Sequence, residues 1–149
     1  MNGGEESIPS GQPNTKAQVT VLIVEDHFWT RYMAAEYFRG SGYRVIEANN
    51  ADEAVSVLAS GNQVHVVFSD IQMPGYMDGL ALAHWIAQRY PSLPVILTSG
   101  HRPDVLPSNC RGFFVKPCSL ADVELEIRGL TTFQADKSEG CVVGYHNTW

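Results

Sequence analysis

Acidic side chains, one hydroxyl and one lysine follow four apolar segments of the chain. Glu25 and Asp26 follow VTVLIV, Asp70 follows VHVVFS, Ser99 closes PVILTS, and Lys116 follows GFFV. Three carboxylates brought together repel one another unless a cation intervenes, so they suit a hard divalent ion, with Mg²⁺ as the natural candidate. The lysine charge and the serine hydroxyl together suit a phosphoryl group.

The apolar segments that precede these residues are predicted to be β-strands. Five are predicted, over residues 19–24, 44–48, 64–69, 94–99 and 112–115. Strands that alternate with helices require parallel pairing through right-handed crossovers, and near-continuous apolar strands suit burial on both faces. The expected fold is an open α/β sandwich, in which functional groups gather at the carboxyl ends of the strands.

Four helices are predicted from apolar spacing, capping residues and stop signals. They span residues 29–40, 51–60, 79–90 and 120–130. Asn50 and Asp78 are expected to cap the second and third helices, and Ser119 with Asp122 forms a capping box for the last.

Two further predictions concern the first helix and residues 100–111. In the first helix Trp29, Met33 and Tyr37 recur at helical spacing, so they are expected to form its apolar face. Residues 100–111 contain two prolines in the only space available for a further helix. Because proline breaks a helix interior, at most one or two turns are expected there.

Composition and charge exclude several classes of protein. The 149 residues have a formal net charge of −6, and 44% of them are hydrophobic, which is enough for a buried core. A membrane span or a secretory signal is not apparent, so a cytoplasmic protein is expected. No cluster of Lys and Arg favours nucleic acid. The three cysteines are expected to be free thiols, since they are odd in number and lack CxxC spacing.

Four motifs give the chain a family resemblance: VLIVEDH, VVFSDIQMPGYMDGL, PVILTSGH and GFFVKPCS. They occur in this order, each at the close of a predicted strand. The pattern resembles the receiver domain of two-component response regulators, of the single-domain bacterial type, over roughly residues 19–130. The resemblance implies a (βα)5 flavodoxin-like fold with an open parallel five-stranded sheet in the order 2-1-3-4-5, here with a shortened or missing fourth helix.

The resemblance also implies a phosphorylation site and a metal site. Asp70 would be the phospho-acceptor, taking a phosphoryl group from a phosphohistidine to give an aspartyl phosphate. Asp26, Asp70 and the backbone carbonyl of Gln72 would ligate Mg²⁺, with Glu25 acting mainly through water.

The remaining matched positions would bind the phosphoryl group and transmit its arrival. Ser99 would bond one phosphoryl oxygen and Lys116 another, and Phe113 would swing inward when the hydroxyl moves. A structural interpretation of these three stays open, because Ser-Gly is ordinary turn chemistry, a lysine before proline is commonplace, and an aromatic residue is more often part of a core.

Prolines and one glycine are expected to set the geometry of the loops at the site. Pro74 and Gly75 follow Asp70 in the loop that would hold the Gln72 carbonyl toward the metal, and Pro117 follows the lysine. Proline fixes φ, whereas glycine permits conformations barred to other residues.

The expected function is that of a stand-alone receiver in a phosphorelay. Its partners would be a sensor histidine kinase or a histidine phosphotransfer protein, and a downstream protein effector, with no nucleic acid and no membrane. It would catalyse only its own phosphotransfer and dephosphorylation. Residues 1–18 are expected to form a flexible leader and residues 131–149 a flexible tail too short for a DNA-binding output domain.

Two alternatives remain open. A degenerate receiver would bind partners without phosphorylation. An aspartyl-phosphate phosphohydrolase is disfavoured, because its D-x-D pattern needs a second acid two residues after the first, where this chain has Phe28 after Asp26 and Gln72 after Asp70.

Overall fold

The structure is a computed structural model that describes the backbone of residues 18–138 and the side chains of residues 18–132. The strands are β1 (Thr20–Val24), β2 (Arg44–Ala48), β3 (Val66–Asp70), β4 (Val95–Ser99) and β5 (Cys110–Val115). The helices are α1 (Phe28–Gly40), α2 (Ala51–Ala59), α3 (Gly79–Arg89) and α4 (Leu120–Ser138). The predicted leader, apart from its last residue, and the end of the predicted tail lie outside the described residues.

The five strands form one parallel sheet in the order β2-β1-β3-β4-β5, which confirms the predicted fold. Strands β1, β3 and β4 are buried along their whole length, as their continuous apolar sequences predict. Because all strands run in the same direction, the residues that follow β1, β3, β4 and β5 meet at one edge of the sheet.

Helices cover both faces of the sheet and create two hydrophobic cores. On one face α2 and α3 bury Ala54, Leu58, Leu82 and Ile86 against the strands. On the other face α1 and α4 pack over β1, β3 and β4. Among the described residues, none of the helices combines the length and apolar character that crossing a bilayer requires.

The buried face of α1 differs from the predicted one. The helix buries Ala34, Ala35 and Phe38, whereas Trp29 and Met33 keep 63% and 62% of their surface exposed. The two alanines let the helix approach the sheet closely, and bulkier residues at those positions would hold it away. Tyr37 packs against this core, as its spacing predicts, so the prediction of the apolar face was wrong for Trp29 and Met33 alone.

Two further predictions concern the segment between β4 and β5 and the end of α4. Within the described residues 100–109 no helix forms between β4 and β5, which confirms the shortened or missing fourth helix. In contrast, α4 continues to Ser138, past the predicted domain end at residue 130. Residues 131–138 contain neither glycine nor proline, so no residue interrupts the helix there.

The start of α3 lies directly against the end of β3. Asp78 caps the helix by accepting a hydrogen bond from the backbone N–H of Ala81, as the sequence predicts. The Gly79 N–H donates to the Ile71 carbonyl at 2.8 Å. A Cβ on Gly79 would overlap the carbonyl oxygen of Asp70 and lie 2.7 Å from the Ile71 Cα, so only glycine permits this approach.

We therefore expect Gly79→Ala to destabilise the protein by about 1–3 kcal/mol, because α3 must move away from β3. The free energy of unfolding in urea measures the effect. Gly129 in α4 is the matched control, since a Cβ there meets no atom within 4 Å. Because alanine is favoured over glycine in a helix by about 1 kcal/mol, Gly129→Ala should stabilise. Similar unfolding midpoints for the two variants would contradict the close approach.

Candidate functional site

Three carboxylates meet at the carboxyl edge of the sheet. Glu25 and Asp26 follow β1, and Asp70 is the last residue of β3. One carboxylate oxygen of each lies within 4.8 Å of the other two. An octahedral ion with bonds of about 2.1 Å has neighbouring ligands about 3 Å apart and opposite ones about 4.2 Å apart, so a small approach of the three side chains would let them hold a single hard cation. Asp26 is partly exposed, which leaves access for water ligands.

Lys116 carries the positive charge of the site. Its Nζ lies 2.9 Å from Asp70 Oδ2 and 3.4 Å from Glu25 Oε2. The backbone N–H of Lys116 donates to the Ser99 carbonyl at 2.8 Å, which holds the end of β5 beside β4. Burial lowers the pKa of Lys116, but the hydrogen bonds and charges of the two carboxylates outweigh it and leave the pKa above its ordinary value. The lysine is therefore protonated at neutral pH.

The carboxyl group of Glu25 is placed where its charge is disfavoured. Burial raises its pKa above the ordinary value of 4.5, and the negative charge of Asp70 raises it further. Lys116 and the backbone N–H of His27, which donates to Glu25 Oε1 at 3.2 Å, act in the opposite direction without cancelling the rise. A cation bound among these carboxylates would relieve the repulsion between them.

The loop after β3 is hydrogen-bonded back to Asp70. The Gln72 N–H donates to Asp70 Oδ1 at 3.2 Å. Pro74 is exposed, and Gly75 has a φ of 110°, a conformation that favours glycine. The peptide between Lys116 and Pro117 is cis. The metal-binding role of the Gln72 carbonyl stays a prediction.

Ser99 lies on β4, the strand beside β3, and Phe113 lies on β5 at the edge of the sheet beyond it. Ser99 is buried at the end of β4, and Phe113 pairs in register with Leu97 of the same strand. Phe113 is half-buried against the core on the α2 and α3 face, and the Arg102 guanidinium lies 5.7 Å from the centre of its ring. Its predicted motion as a switch stays a prediction.

An exposed apolar surface adjoins the carboxylates on the first turns of α1. Phe28, Trp29 and Tyr32 contact one another through their rings, with centroids 5.0 to 6.0 Å apart. Beside this aromatic cluster is a cavity of about 500 Å³. Its lining includes Met33 of α1 together with Asp70, so this exposed methionine borders the same cavity as Asp70.

Arg31 was not singled out from the sequence, yet it contacts the site. Its Nη1 donates to the backbone carbonyl of Glu25 at 2.8 Å and to Asn49 Oδ1 at 3.1 Å. Its Nε lies 3.5 Å from a carboxylate oxygen of Glu47. No local pattern could have revealed these contacts, because Glu47 and Asn49 come from β2 and the turn after it.

Comparison with known protein families shows to which family the chain belongs. The response regulator receiver domain model matches residues 21–128, which include every candidate site residue. The chain belongs to this family. It is thus a receiver domain of the two-component systems, in agreement with the resemblance of its four motifs.

Relatives and solved structures agree with this assignment. The receiver domain is 41% identical over 81 residues to the DNA-binding transcriptional regulator NtrC of Salmonella typhimurium, a match that covers 54% of this chain and 17% of NtrC. It resembles the response regulator TrrA of Thermotoga maritima, solved with Mg²⁺ and BeF, at 27% identity and a TM-score of 0.69, covering 76% of this chain and 99% of TrrA.

A second solved structure shares the fold. The CheY-like receiver domain protein of Methanospirillum hungatei has a TM-score of 0.74 at 20% identity, covering 81% of this chain and 99% of that one. The chain spans less than a third of the length of the first curated relatives it matches. The part that this chain shares with these relatives is the receiver domain. The activities named for the longer proteins are properties of those proteins.

Proposed function

We propose that this receiver domain accepts a phosphoryl group on Asp70 from a phosphohistidine, with Mg²⁺ bound by the neighbouring carboxylates. The observation that carries the proposal is the position of the Asp70 carboxylate, which lies among two further acids and within 2.9 Å of the Lys116 ammonium. The solved structure of TrrA with Mg²⁺ and BeF supports the same chemistry by family relationship.

In the proposed reaction a carboxylate oxygen of Asp70 attacks the phosphorus atom. The bond from phosphorus to the histidine nitrogen breaks as the new bond to oxygen forms, and the nitrogen keeps the electron pair of the broken bond. Bound Mg²⁺ supplies charge neutralisation for the phosphoryl oxygens. Asp26 would hold the ion beside Asp70, with Glu25 acting mainly through water, and the Gln72 N–H orients Asp70 through its bond to Oδ1.

After transfer, Lys116 and Ser99 act on the product. Lys116 exchanges its contact with the free carboxylate for a phosphoryl oxygen, and the Ser99 hydroxyl donates to another. Phe113 on β5 then responds to the displaced hydroxyl. The result is a change in the surface that partner proteins contact, so the domain works as a signalling switch that catalyses only its own phosphorylation and dephosphorylation.

The proposed donor is a sensor histidine kinase or a histidine phosphotransfer protein. The exposed aromatic cluster of Phe28, Trp29 and Tyr32 lies on α1, the helix whose Met33 lines the same cavity as Asp70. Exposed aromatic side chains of this kind are enriched in protein interfaces. The cluster therefore supports a protein as the phosphoryl donor.

Intact mass after incubation with acetyl phosphate tests the proposal. We expect the protein to gain one phosphoryl group in the presence of Mg²⁺ and none when the ion is chelated. No gain under conditions that label a control receiver would contradict the proposal and favour a degenerate receiver that binds partners without phosphorylation.

Mg²⁺ affinity should depend on pH through Glu25. Because its pKa lies above the ordinary 4.5, acidification protonates this carboxyl earlier than an exposed glutamate, and the affinity falls with it. The contribution of Glu25 to the stability of the folded protein changes with pH in the opposite direction. The folded metal-free protein holds this proton more tightly than the unfolded chain, so the stabilisation is complete below pH 4.5 and is lost as pH rises through the folded pKa.

Calorimetric Mg²⁺ titrations between about pH 4.5 and pH 7.5 measure this dependence. Glu25→Gln has no carboxyl group to protonate at this position. Its Mg²⁺ affinity should therefore fall less on acidification than that of wild type. Glu36→Gln is the matched control, since Glu36 is an exposed glutamate of α1 that pairs with Arg39. An identical acid-side loss in wild type and Glu25→Gln would contradict the prediction.

A further inference from the structure

Arg31 joins three parts of the fold at the edge of the carboxylate site. It lies on α1, and its guanidinium contacts the Glu25 carbonyl, Asn49 Oδ1 and the Glu47 carboxylate. Only 15% of its side chain is exposed, and its guanidinium lies 5.7 Å from the centre of the Phe28 ring. These contacts are more than an exposed surface pair makes, so Arg31 is held in one position.

Glu25 is consequently held from both sides of its backbone. Its N–H donates to the Ala48 carbonyl at 3.1 Å, and its carbonyl accepts from Arg31 at 2.8 Å. That carbonyl belongs to the peptide between Glu25 and Asp26. Because a peptide is planar, fixing its oxygen fixes the directions in which the two residues leave the plane.

We propose that Arg31 is a positioning residue for metal binding, acting by fixing the peptide that joins Glu25 and Asp26. The inference rests on the proposed function, since it assigns Arg31 to the same Mg²⁺ site. Arg31 contacts the backbone of the carboxylate pair and leaves the carboxylate oxygens themselves open to the ion. Groups that orient metal ligands in this way commonly change affinity 10-fold to 100-fold when removed.

Arg39 provides a matched control on the same helix. It also pairs with Glu47, at 3.0 Å, and its other ion pair is with Glu36. Arg31→Ala and Arg39→Ala therefore each remove one positive charge and one ion pair with Glu47. Arg31 alone also contacts the Glu25 carbonyl, Asn49 Oδ1 and the Phe28 ring, whereas Arg39 alone pairs with Glu36.

Two measurements on the full chain test the proposal. Calorimetric titration with Mg²⁺ should give about a 10-fold weaker affinity for Arg31→Ala and a wild-type affinity for Arg39→Ala. In the metal-free protein, amide hydrogen exchange at His27, whose N–H donates to Glu25 Oε1, should accelerate in Arg31→Ala alone. Arg31→Lys keeps the charge without the planar fork, so it should restore only part of the affinity.

The outcomes separate this inference from the proposed function. Equal Mg²⁺ affinity and equal His27 exchange in the two alanine variants would overturn the role of Arg31. Full restoration of affinity by Arg31→Lys would overturn the role of the guanidinium fork, since a single donor would then hold the peptide. If wild type binds no Mg²⁺, the metal site fails, and with it the metal-positioning role, whereas the His27 exchange still reports whether Arg31 fixes the peptide.

Discussion

Replacing Asp70 by Asn is expected to abolish phosphorylation and to leave the fold intact. An amide nitrogen takes the place of one carboxylate oxygen, so the side chain loses its charge and its nucleophilic character. The remaining oxygen can still accept the N–H of Gln72, which in wild type lies 3.2 Å from Oδ1. We expect labelling by acetyl phosphate to fall to background and the free energy of unfolding to change by no more than about 1 kcal/mol.

Asp78→Asn is the matched control for this experiment. Asp78 lies on the same loop and accepts the Ala81 N–H as the N-cap of α3. Asparagine is an equally good N-cap, so this variant should fold and accept a phosphoryl group like wild type. Intact mass with and without Mg²⁺ measures labelling, and circular dichroism checks the fold. Full labelling of Asp70→Asn would refute the assignment of Asp70 as the acceptor.

Lys116→Ala should move two properties of the site in opposite directions. Its ammonium bridges Asp70 and Glu25, and its loss leaves these carboxylates without that cation. A unit charge at about 4 Å in well-screened surroundings contributes about 1 kcal/mol, so Mg²⁺ should bind several-fold more tightly. The phosphorylated protein, in contrast, loses the partner of a phosphoryl oxygen, and the conformational response of β5 should be lost.

Calorimetry measures the Mg²⁺ affinity, and amide hydrogen exchange in β5 before and after acetyl phosphate measures the response. Lys116→Arg is the control, because it keeps the positive charge and should keep an affinity for Mg²⁺ close to that of wild type. A phosphorylation-induced change in β5 that is undiminished in Lys116→Ala would show that the lysine does not couple the site to the strand.

The loss of phosphorylation expected for Asp70→Asn and the opposite changes expected for Lys116→Ala have one physical origin. Asp70 and Glu25 are both buried at the sheet edge, where burial and the charge of Asp70 raise the pKa of Glu25. A lysine or a metal ion relieves this repulsion, and the two cations therefore compete for the same carboxylates. The proposed phosphorylation would add negative charge at this edge and make Lys116 a partner for the phosphoryl group.

Local sequence features predicted most of the secondary structure. Asn50 accepts the Glu53 N–H at 2.8 Å, and Asp78 accepts the Ala81 N–H at the same distance, as the capping patterns predict. The continuous apolar runs predicted buried strands, and the two prolines in residues 100–111 predicted the absent helix. These signals work because the interacting groups are a few residues apart, so each pattern contains the whole cause of the structure.

Features that depend on contacts between distant parts of the chain could not be predicted from local sequence patterns. The spacing of Trp29 and Met33 indicated a helix, but the inner face of α1 was chosen by the close fit of Ala34 and Ala35 against the sheet. Likewise, nothing near Arg31 in sequence indicates its bond to Asn49. Packing decides such contacts, since it depends on surfaces that adjoin only after folding.

The sequence by itself determined which chemical groups follow the strands: carboxylates after β1 and at the end of β3, a hydroxyl at the end of β4 and a lysine after β5. Only the tertiary structure decided how they meet. Lys116 contacts Asp70 across 46 residues of sequence and Glu25 across 91. The parallel strand order brings these distant residues to one edge, and the pKa shifts arise there because burial and mutual charge exist only in the folded chain.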